Sequence, residues 1–226
     1  MSKEIMRSAV RNNADWCELV AASHSVPNTR HEKVWRASGS MPPFYPNVVT
    51  LQEGITKEQV SEIAGSLPEQ CGWKDSFADL DLTDFGFGIK FEAQWYGLSE
   101  WNYAQLLSEP VHEVSSVENL QDWIAAWGET PDDHSIFRED LLEPRVRFLF
   151  HRHADEIDSG LITNLSDDVV GISNSFGQPQ GIFQCIRTAF EASNGRPLVG
   201  YGSRDDLRTL SKLGFVGLGK LRVWVR

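Results

Sequence analysis

Three consecutive segments of alternating apolar and polar residues limit the folds open to this chain more than any other feature. They span residues 145–152, 157–165 and 169–176, and only short turns separate them. Such alternation is typical of strands with one buried face, and short turns favour antiparallel neighbours. The sequence therefore predicts a three-stranded antiparallel meander in the middle of the second half.

The segment GISNSFGQPQG, residues 171–181, joins this meander to a predicted helix. Pro179 suits the first turn of a helix. Apolar residues then recur at helical spacing, at Ile182, Phe183, Ile186, Ala189 and Phe190. The amides of Gln180, Gly181 and Ile182 are expected to point outward at a positive helix end, where anions bind readily. A purely structural connection that contains three glycines is the alternative interpretation.

The rest of the second half, taken as residues 111–226, alternates strands and helices. A strand at 111–114 precedes a helix that starts at a capping box of Ser115 and Glu118. After the meander and its helix come a strand within 196–202 and a helix capped by Ser203 and Asp206. Residues 215–226 are predicted to form a terminal strand pair.

The first half, residues 1–110, is predicted to be a helix followed by a βαββ unit. The helix covers residues 13–24 with Asn12 as its cap, and the four prolines in residues 26–47 predict a loop. A strand at 48–51 leads into a helix that opens at Thr56, and residues 71–82 and 85–98 are expected to pair as strands. Both halves share an order of strand, capped helix and strand pair, which hints at duplication.

Net charge restricts the partners of this chain. The formal charge of the 226 residues is -11, which argues against a broad nucleic-acid surface. Residues 187–226, however, carry eight Lys or Arg and three Asp or Glu. This basic island is suited to a small anionic ligand, although a solvated face without a ligand explains it equally well.

Apolar content and cysteine usage predict a cytoplasmic protein. No apolar run approaches the ~20 residues that cross a bilayer, and the first ten residues lack the apolar core of a signal peptide. The three cysteines, Cys17, Cys71 and Cys185, fit neither a disulfide framework nor a zinc site, so we expect buried thiols. We expect no membrane partner.

From about Val111 onward the chain resembles the GNAT superfamily of acyl-CoA-dependent N-acyltransferases. The order of elements carries the resemblance, together with QPQGIF at 178–183 and KLGF at 212–215. In that family a Q/R-x-x-G-x-G/A loop holds the cofactor pyrophosphate, and here Gln178 and Gly181 occupy its first two defined positions. Four further stretches, PPFYPNVVTL, WKDSFADLDL, FGIKFEAQW and GKLRVW, look like those of bacterial GNAT-like proteins of unassigned substrate, which extends the likeness to nearly the whole chain.

The resemblance implies a fold and a set of binding residues. The fold is mixed α/β, with a mostly antiparallel central sheet flanked by helices and a first half that is a degenerate GNAT repeat or a packed extension. Acetyl-CoA or another acyl-CoA is the implied co-substrate, and a small-molecule amine or amino-acid-like compound is the implied acceptor. The protein is expected to be a monomer or homodimer. The implied cofactor-binding residues are Ile172, Ser173, Asn174, Gln178, Gln180, Gly181, Ile182, Phe183, Arg187, Arg204 and Arg208.

Two motif positions depart from the family pattern. Phe183 stands where a glycine or alanine is usual, and its ring belongs either to the core or to the approach to the phosphates. Leu210 stands where a tyrosine often protonates the departing thiolate, and a leucine has no proton to donate. A catalytically degenerate binding or regulatory protein is therefore the second hypothesis, and an interaction protein with an empty cleft is the third.

Candidate bases are drawn from residues with ionisable groups in predicted strands. If residues 71–82 and 85–98 pair, Glu92 lies near Lys74 or Asp75 and forms a polar site. This site is either a structural salt bridge, a substrate-amine site or the place of a substitute general base, for which Asp75 and Glu92 are the candidates. His151 and His153 are expected on the same face of a strand, and His151 is a further candidate base. No third ligand follows at a spacing suited to a metal, so we do not expect a metal site.

Overall fold

A computed structural model describes residues 2–103, 109–128, 130–166 and 168–226. Its helices are α1 Ser2–Ser23, α2 Lys57–Gly65, α3 Val117–Trp127, α4 Pro179–Ala192 and α5 Arg204–Leu210. Its strands are β1 Asn28–Arg30, β2 Val34–Ala37, β3 Val48–Thr50, β4 Gly72–Asp75, β5 Gly88–Leu98, β6 Val111–Glu113, β7 Val146–His153, β8 Glu156–Leu165, β9 Val170–Gly177, β10 Leu198–Gly202 and β11 Val216–Val225.

All eleven strands belong to one sheet. Their order is β1-β2-β3-β4-β11-β5-β10-β9-β8-β7-β6. The pairs β3/β4 and β9/β10 are parallel, each with one helix in its connection, and the other neighbours are antiparallel. This confirms the predicted mixed α/β fold with a mostly antiparallel sheet, and the predicted meander is β7-β8-β9.

Strand β11 corrects two predictions about pairing. It lies between β4 and β5, so the two strands of the first half do not pair with each other. The terminal residues form one ten-residue strand instead of a strand pair. Tertiary pairing decides this arrangement, because each alternating segment would fit any antiparallel neighbour with an apolar face.

The first helix begins well before the predicted cap. Asn12 lies inside α1 and is buried, and its Nδ2 donates to Asn164 O at 2.9 Å and to Ser166 Oγ at 2.9 Å. The residue that resembles a cap therefore ties the helix to β8. Strands β1 and β2 also occupy part of the segment that was predicted to be a loop.

The starts of the other helices follow their sequence signals with one exception. Capping boxes form at Thr56 and at Ser203, as predicted. Helix α3 starts one residue later than expected, since the side chain of Ser116, not Ser115, accepts the N–H of Asn119 at 3.2 Å. Both residues are serines, so the spacing could not distinguish them.

The helices cover opposite faces of the sheet. Residues of α1 and α3 share one cluster with Phe148 and Phe150 of β7, whereas Leu149 belongs to the cluster beneath α4 and α5. Within the described ranges, no helix is both long and apolar enough to span a bilayer. Cys17, Cys71 and Cys185 are buried free thiols, as predicted.

Because β11 lies between β4 and β5, we expect that the second half does not fold on its own. A fragment of residues 111–226 lacks β4 and β5, so β11 loses both partners and β10 loses one. Unpaired edges of this kind aggregate or stay disordered. We expect near-ultraviolet circular dichroism of the fragment to lack the tertiary signal of the full chain. A cooperative urea transition of the isolated fragment would contradict this expectation.

Candidate functional site

The parallel strands β9 and β10 separate soon after they meet. Their pairing consists of Leu198 with Val170 and Val199 with Gly171. Beyond these pairs β9 continues to Gly177 and β10 to Gly202 without further pairing between them in the described chain. The separation opens a cleft in the middle of a continuous sheet.

A β-bulge in β9 lines this cleft. Gly160 of β8 pairs with Phe176 and Ile162 with Ser173, so two residues of β9 stand opposite one of β8. Asn174, one of these two, has a left-handed φ of 51°. Bulges leave one residue out of the ladder and turn the strand, and they are common beside active sites. Ile172, Ser173 and Asn174 therefore lie where the cleft begins.

Helix α4 begins directly after β9, and its first amides are the feature of interest. Gln178 is the cap and makes no side-chain capping bond. The backbone N–H groups of Gln180 and Gly181 have no acceptor among the described residues, whereas Ile182 N–H donates to Gln178 O at 3.0 Å. Two of the three predicted amides are thus open at the positive helix end, and the third is satisfied internally.

Gly181 also has a packing role that the sequence did not reveal. A Cβ at this position would lie 1.8 Å from Ser159 Oγ and 3.0 Å from His151 Nδ1. The glycine therefore lets the first turn of α4 approach strands β7 and β8 closely. Its presence alone does not prove a phosphate contact, because close helix–sheet packing requires it as well.

The two residues that depart from the family motif are core residues. Phe183 is buried, and its ring packs edge-on against Tyr103 with centroids 6.1 Å apart. Leu210 is buried in the same cluster. Of the two interpretations of Phe183, the structure favours core packing over an obstacle in front of the amides.

The three candidate arginines differ in position. Arg204 is the first residue of α5, directly beyond the end of β10, so it lies at the same end of the sheet as the start of α4. Arg187 is eight residues into α4, about 12 Å along the helix axis, and pairs with Glu191 at 2.8 Å. Arg208 is exposed and pairs with Asp205 at 3.3 Å. Arg204 is the best placed for a phosphate.

The expected contact between Glu92 and Asp75 or Lys74 across paired strands is wrong, because β11 lies between their strands. Glu92 is exposed and pairs with Arg222 at 2.8 Å, which lowers the pKa of its carboxyl group. Asp75 is fully buried and accepts the N–H groups of Asp79 at 3.3 Å and Leu80 at 3.1 Å. Burial raises the pKa of Asp75, although these two bonds oppose the effect.

His151 lies beneath the start of α4, away from the cleft. Its Nδ1 is 2.8 Å from Asp158 Oδ1 and its Nε2 is 3.0 Å from Glu109 Oε2. The ring is buried with both nitrogens engaged, whereas His153 is exposed, so the two do not act together on one face. No group of three or more His, Cys, Asp or Glu among the described residues is placed to hold a metal.

On the α1 face, the bulge borders a cavity of about 160 Å³ with an unexpected polar centre. Lys74 Nζ donates to Tyr201 Oη at 3.1 Å and to Asn13 Oδ1 at 2.7 Å. Neither Asp75, Glu92 nor His151 lines this cavity. One sequence signal points to it, a lysine in a predicted strand beside an aromatic residue. Tyr201 carries no such signal, because its segment shows only the pattern of a strand.

A double-mutant cycle tests the packing role of Gly181. Gly181→Ala places its methyl group on Ser159 Oγ, so we expect the free energy of unfolding to fall by about 1–3 kcal/mol. In a Ser159→Ala background the oxygen is gone and the loss should shrink. Urea titrations of the four proteins measure the coupling. Equal losses in both backgrounds would mean that the hydroxyl does not restrict this position.

The Asp75→Asn variant tests whether the carboxylate of Asp75 is structural or acts as a base. The amide leaves one of two backbone N–H groups without an acceptor, so we expect a loss of about 1–3 kcal/mol in unfolding free energy. Because the folded-state pKa is raised, wild type loses stability as the pH rises through it and the variant does not, so their difference narrows with rising pH. Loss of acyl transfer from a folded variant would instead support a base.

Comparisons with known proteins agree on the fold. No family model matches the chain, and no curated protein does. Among solved structures, a GCN5-related N-acetyltransferase from Kribbella flavida superposes with a TM-score of 0.65 at 12% identity, over 96% of this chain and 94% of that one.

Two more structures show the same agreement at similar coverage. A functionally unknown conserved protein from Staphylococcus epidermidis ATCC 12228 has a TM-score of 0.59 at 14% identity, over 89% and 94% of the two chains. A protein from the GNAT family of Novosphingobium aromaticivorans DSM 12444 has a TM-score of 0.58 at 10% identity, over 93% and 94%. The chain therefore has the GNAT fold along nearly its whole length, as its sequence resemblance predicts.

Proposed function

We propose that this protein is an acyl-CoA-dependent N-acyltransferase that transfers an acyl group, acetyl in the simplest case, directly to a small amine. The observation that carries the proposal is the cleft between β9 and β10. A bulged strand, a parallel neighbour that separates after two residue pairs and a helix start with open amides meet there. These are the parts that an extended thioester with a pyrophosphate requires.

The cofactor would follow β9 from the bulge to the helix. Backbone groups of Ile172, Ser173 and Asn174 pair with the pantetheine arm, since they lie beside the unpaired part of the cleft. The N–H groups of Gln180 and Gly181 receive the pyrophosphate. Arg204 supplies a positive charge at the same end of the sheet.

Tyr201 is the group best placed to protonate the departing thiolate. It follows by two positions the last residue of β10 that pairs with β9, and it lines the cavity beside the bulge. Because its oxygen accepts a hydrogen bond from Lys74 Nζ, its own proton is available to another acceptor. The neighbouring ammonium stabilises the phenolate that remains. Tyr201 thus takes the role of the family's tyrosine, whose position is occupied by Leu210 in this chain.

A binding protein without turnover is the second candidate function. The observation that favours it is the buried leucine at position 210, which belongs to the core and has no proton to donate. This alternative shares the cleft and the cofactor with the first, so cofactor binding cannot distinguish them. Only transfer to an amine can.

Calorimetric titration with acetyl-CoA and with CoA tests the shared part of both candidates. We expect saturable heat from each ligand, because the pyrophosphate and pantetheine sites are common to both. Absence of heat at millimolar ligand would overturn both candidates and leave an interaction protein. Mass spectrometry of a panel of amines incubated with acetyl-CoA then shows whether binding leads to transfer.

Tyr201→Phe tests the proposed acid. Loss of the hydroxyl should lower kcat by ~10²-fold or more, which is the usual contribution of a general acid, and change acetyl-CoA affinity little. Tyr96→Phe is the matched control, since that hydroxyl is buried on the other face of the sheet. Equal rates for wild type and Tyr201→Phe, or equal losses in both variants, would exclude Tyr201 as the proton donor.

A further inference from the structure

The cavity beside the bulge is built from both halves of the chain. Its walls are formed by α1, the loop before β3, and the strands β4, β9 and β10. The lining residues that bear on binding are Asn13, Phe44, Tyr45, Lys74, Asn174 and Tyr201. Its volume of about 160 Å³ is that of roughly five water molecules. It therefore suits part of a small molecule next to the cleft, not a polymer.

Lys74 is the charge at the centre of this cavity. It is only 3% exposed, and its Nζ lies 4.2 Å from the centroid of the Tyr201 ring. An ammonium has three N–H donors, and two of them are used, by Asn13 Oδ1 and Tyr201 Oη. Both acceptors are neutral groups. The third donor has no acceptor among the described residues.

No lining residue in the described chain supplies the matching negative charge. Among the described residues, the partners of Lys74 Nζ are the neutral groups of Asn13 and Tyr201, and no carboxylate lines the cavity. Cys17 and Tyr45 face the same space, but burial raises the pKa of both side chains and keeps them neutral. A buried cation without a carboxylate is costly unless a ligand provides one.

Two residues that line this cavity have a left-handed backbone conformation. Phe44 has a φ of 69° and Asn174 a φ of 51°, in the left-handed region that a bulky residue such as phenylalanine adopts only at a cost. The Phe44 ring is 64% exposed at the cavity wall and packs edge-on against Trp127 at 6.1 Å. Tyr45 Oη accepts from Asn174 Nδ2 at 3.2 Å, which joins the two strained segments.

We propose that this cavity binds a carboxylate through the third N–H of Lys74, and that the carboxylate belongs to the amine acceptor. The inference rests on the proposed function and narrows its acceptor to amino acids or similar amino carboxylates. A carboxylate completes the hydrogen bonding of Lys74 and neutralises its charge, and the aromatic wall of Phe44 and Tyr45 receives the acceptor's apolar part. The amine then faces the cleft.

The transfer balances with the groups present. The free amine attacks the thioester carbonyl, the new C–N bond forms, and the C–S bond breaks. The nitrogen releases one proton to water, and the thiolate receives one from Tyr201 Oη. Tyr201 regains a proton from solvent, so neither an oxidant nor a metal is needed for the step.

Matched acceptors test the inference on the unmodified protein. An amino acid and its methyl ester differ in the carboxylate charge and in the basicity of the amine, so kcat/KM with acetyl-CoA is referred to the concentration of free amine. On that basis it should be roughly 10- to 100-fold higher for the acid. Equal values, or a preference for the ester, would overturn the inference. This comparison needs no variant and stays decisive if a substitution at the buried lysine fails to fold.

Lys74→Met then assigns the preference to this lysine, with the exposed Lys90→Met as the matched control. We expect Lys74→Met to raise KM for the amino acid and remove the preference over the ester, and Lys90→Met to retain it. A preference that survives in folded Lys74→Met would overturn the assignment. Repeating the assay with succinyl-CoA and an amine that has no carboxylate shows which substrate carries the carboxylate. A Lys74-dependent preference for succinyl-CoA over acetyl-CoA would place the carboxylate on the acyl donor and refute its assignment to the acceptor.

Failure of the proposed function is distinguishable from failure of this inference. Calorimetry with N-acetylglycine and its methyl ester measures carboxylate binding without any reaction. Binding of the acid that is lost in Lys74→Met, with no transfer to any amine, would refute the acyltransferase and keep the carboxylate site. Transfer to amines with no preference for carboxylates would keep the acyltransferase and refute the carboxylate site.

Discussion

The pairing of β11 with both β4 and β5 is the constraint on which the rest of this structure depends. It places a strand from the end of the chain between two strands of the first half, and so forces both halves into one sheet. The candidate cavity follows from it, because Lys74 on β4 meets Tyr201 on β10 over the strands between them. Neither half contains the candidate cavity alone. The division at residue 110 therefore describes the pattern along the sequence but does not separate two independent sites.

The order of strands is symmetric about the centre of the sheet. The sequence β3-β4-β11 on one side mirrors β9-β10-β5 on the other, and each side contains a parallel pair joined through one helix. An ancestral duplication with exchange of the last strands leaves this order. The duplication stays a prediction. What the structure shows is that β5 pairs with β10 and β11 with β4, so the two halves share one sheet.

Local patterns predicted the second half well because its elements depend on neighbours in sequence. The meander, the proline at the start of α4 and the capping box at Ser203 all act within a few residues. Pairings of β4, β5 and β11 could not be predicted, since alternation states that a strand has two faces and not which strand lies beside it. Asn12 misled for a related reason: its side chain bonds to β8, a partner 152 residues away.

The site was predictable to the same extent and no further. The position of the cleft follows from local order, and the glycine and amides at the start of α4 lie where the resemblance implies. The proposed acid could not be found by motif, because its hydroxyl comes from β10 instead of the last helix. Only the fold brings Tyr201 to Lys74, from opposite halves of the chain.

Charge links the interior of the site to the acidic exterior. A chain with a net charge of -11 repels anions at long range, although salt screens this effect over about 8–10 Å. Lys74 lies inside such a shell with no carboxylate beside it in the described structure, so its field is weakened little by solvent and acts only at contact distance. An amino carboxylate with a protonated amine has no net charge at neutral pH, so it approaches without net repulsion, and its carboxylate meets Lys74 only inside the cavity. The proposed acceptor site thus favours a zwitterion over a simple anion through where the charges lie and not through their sum.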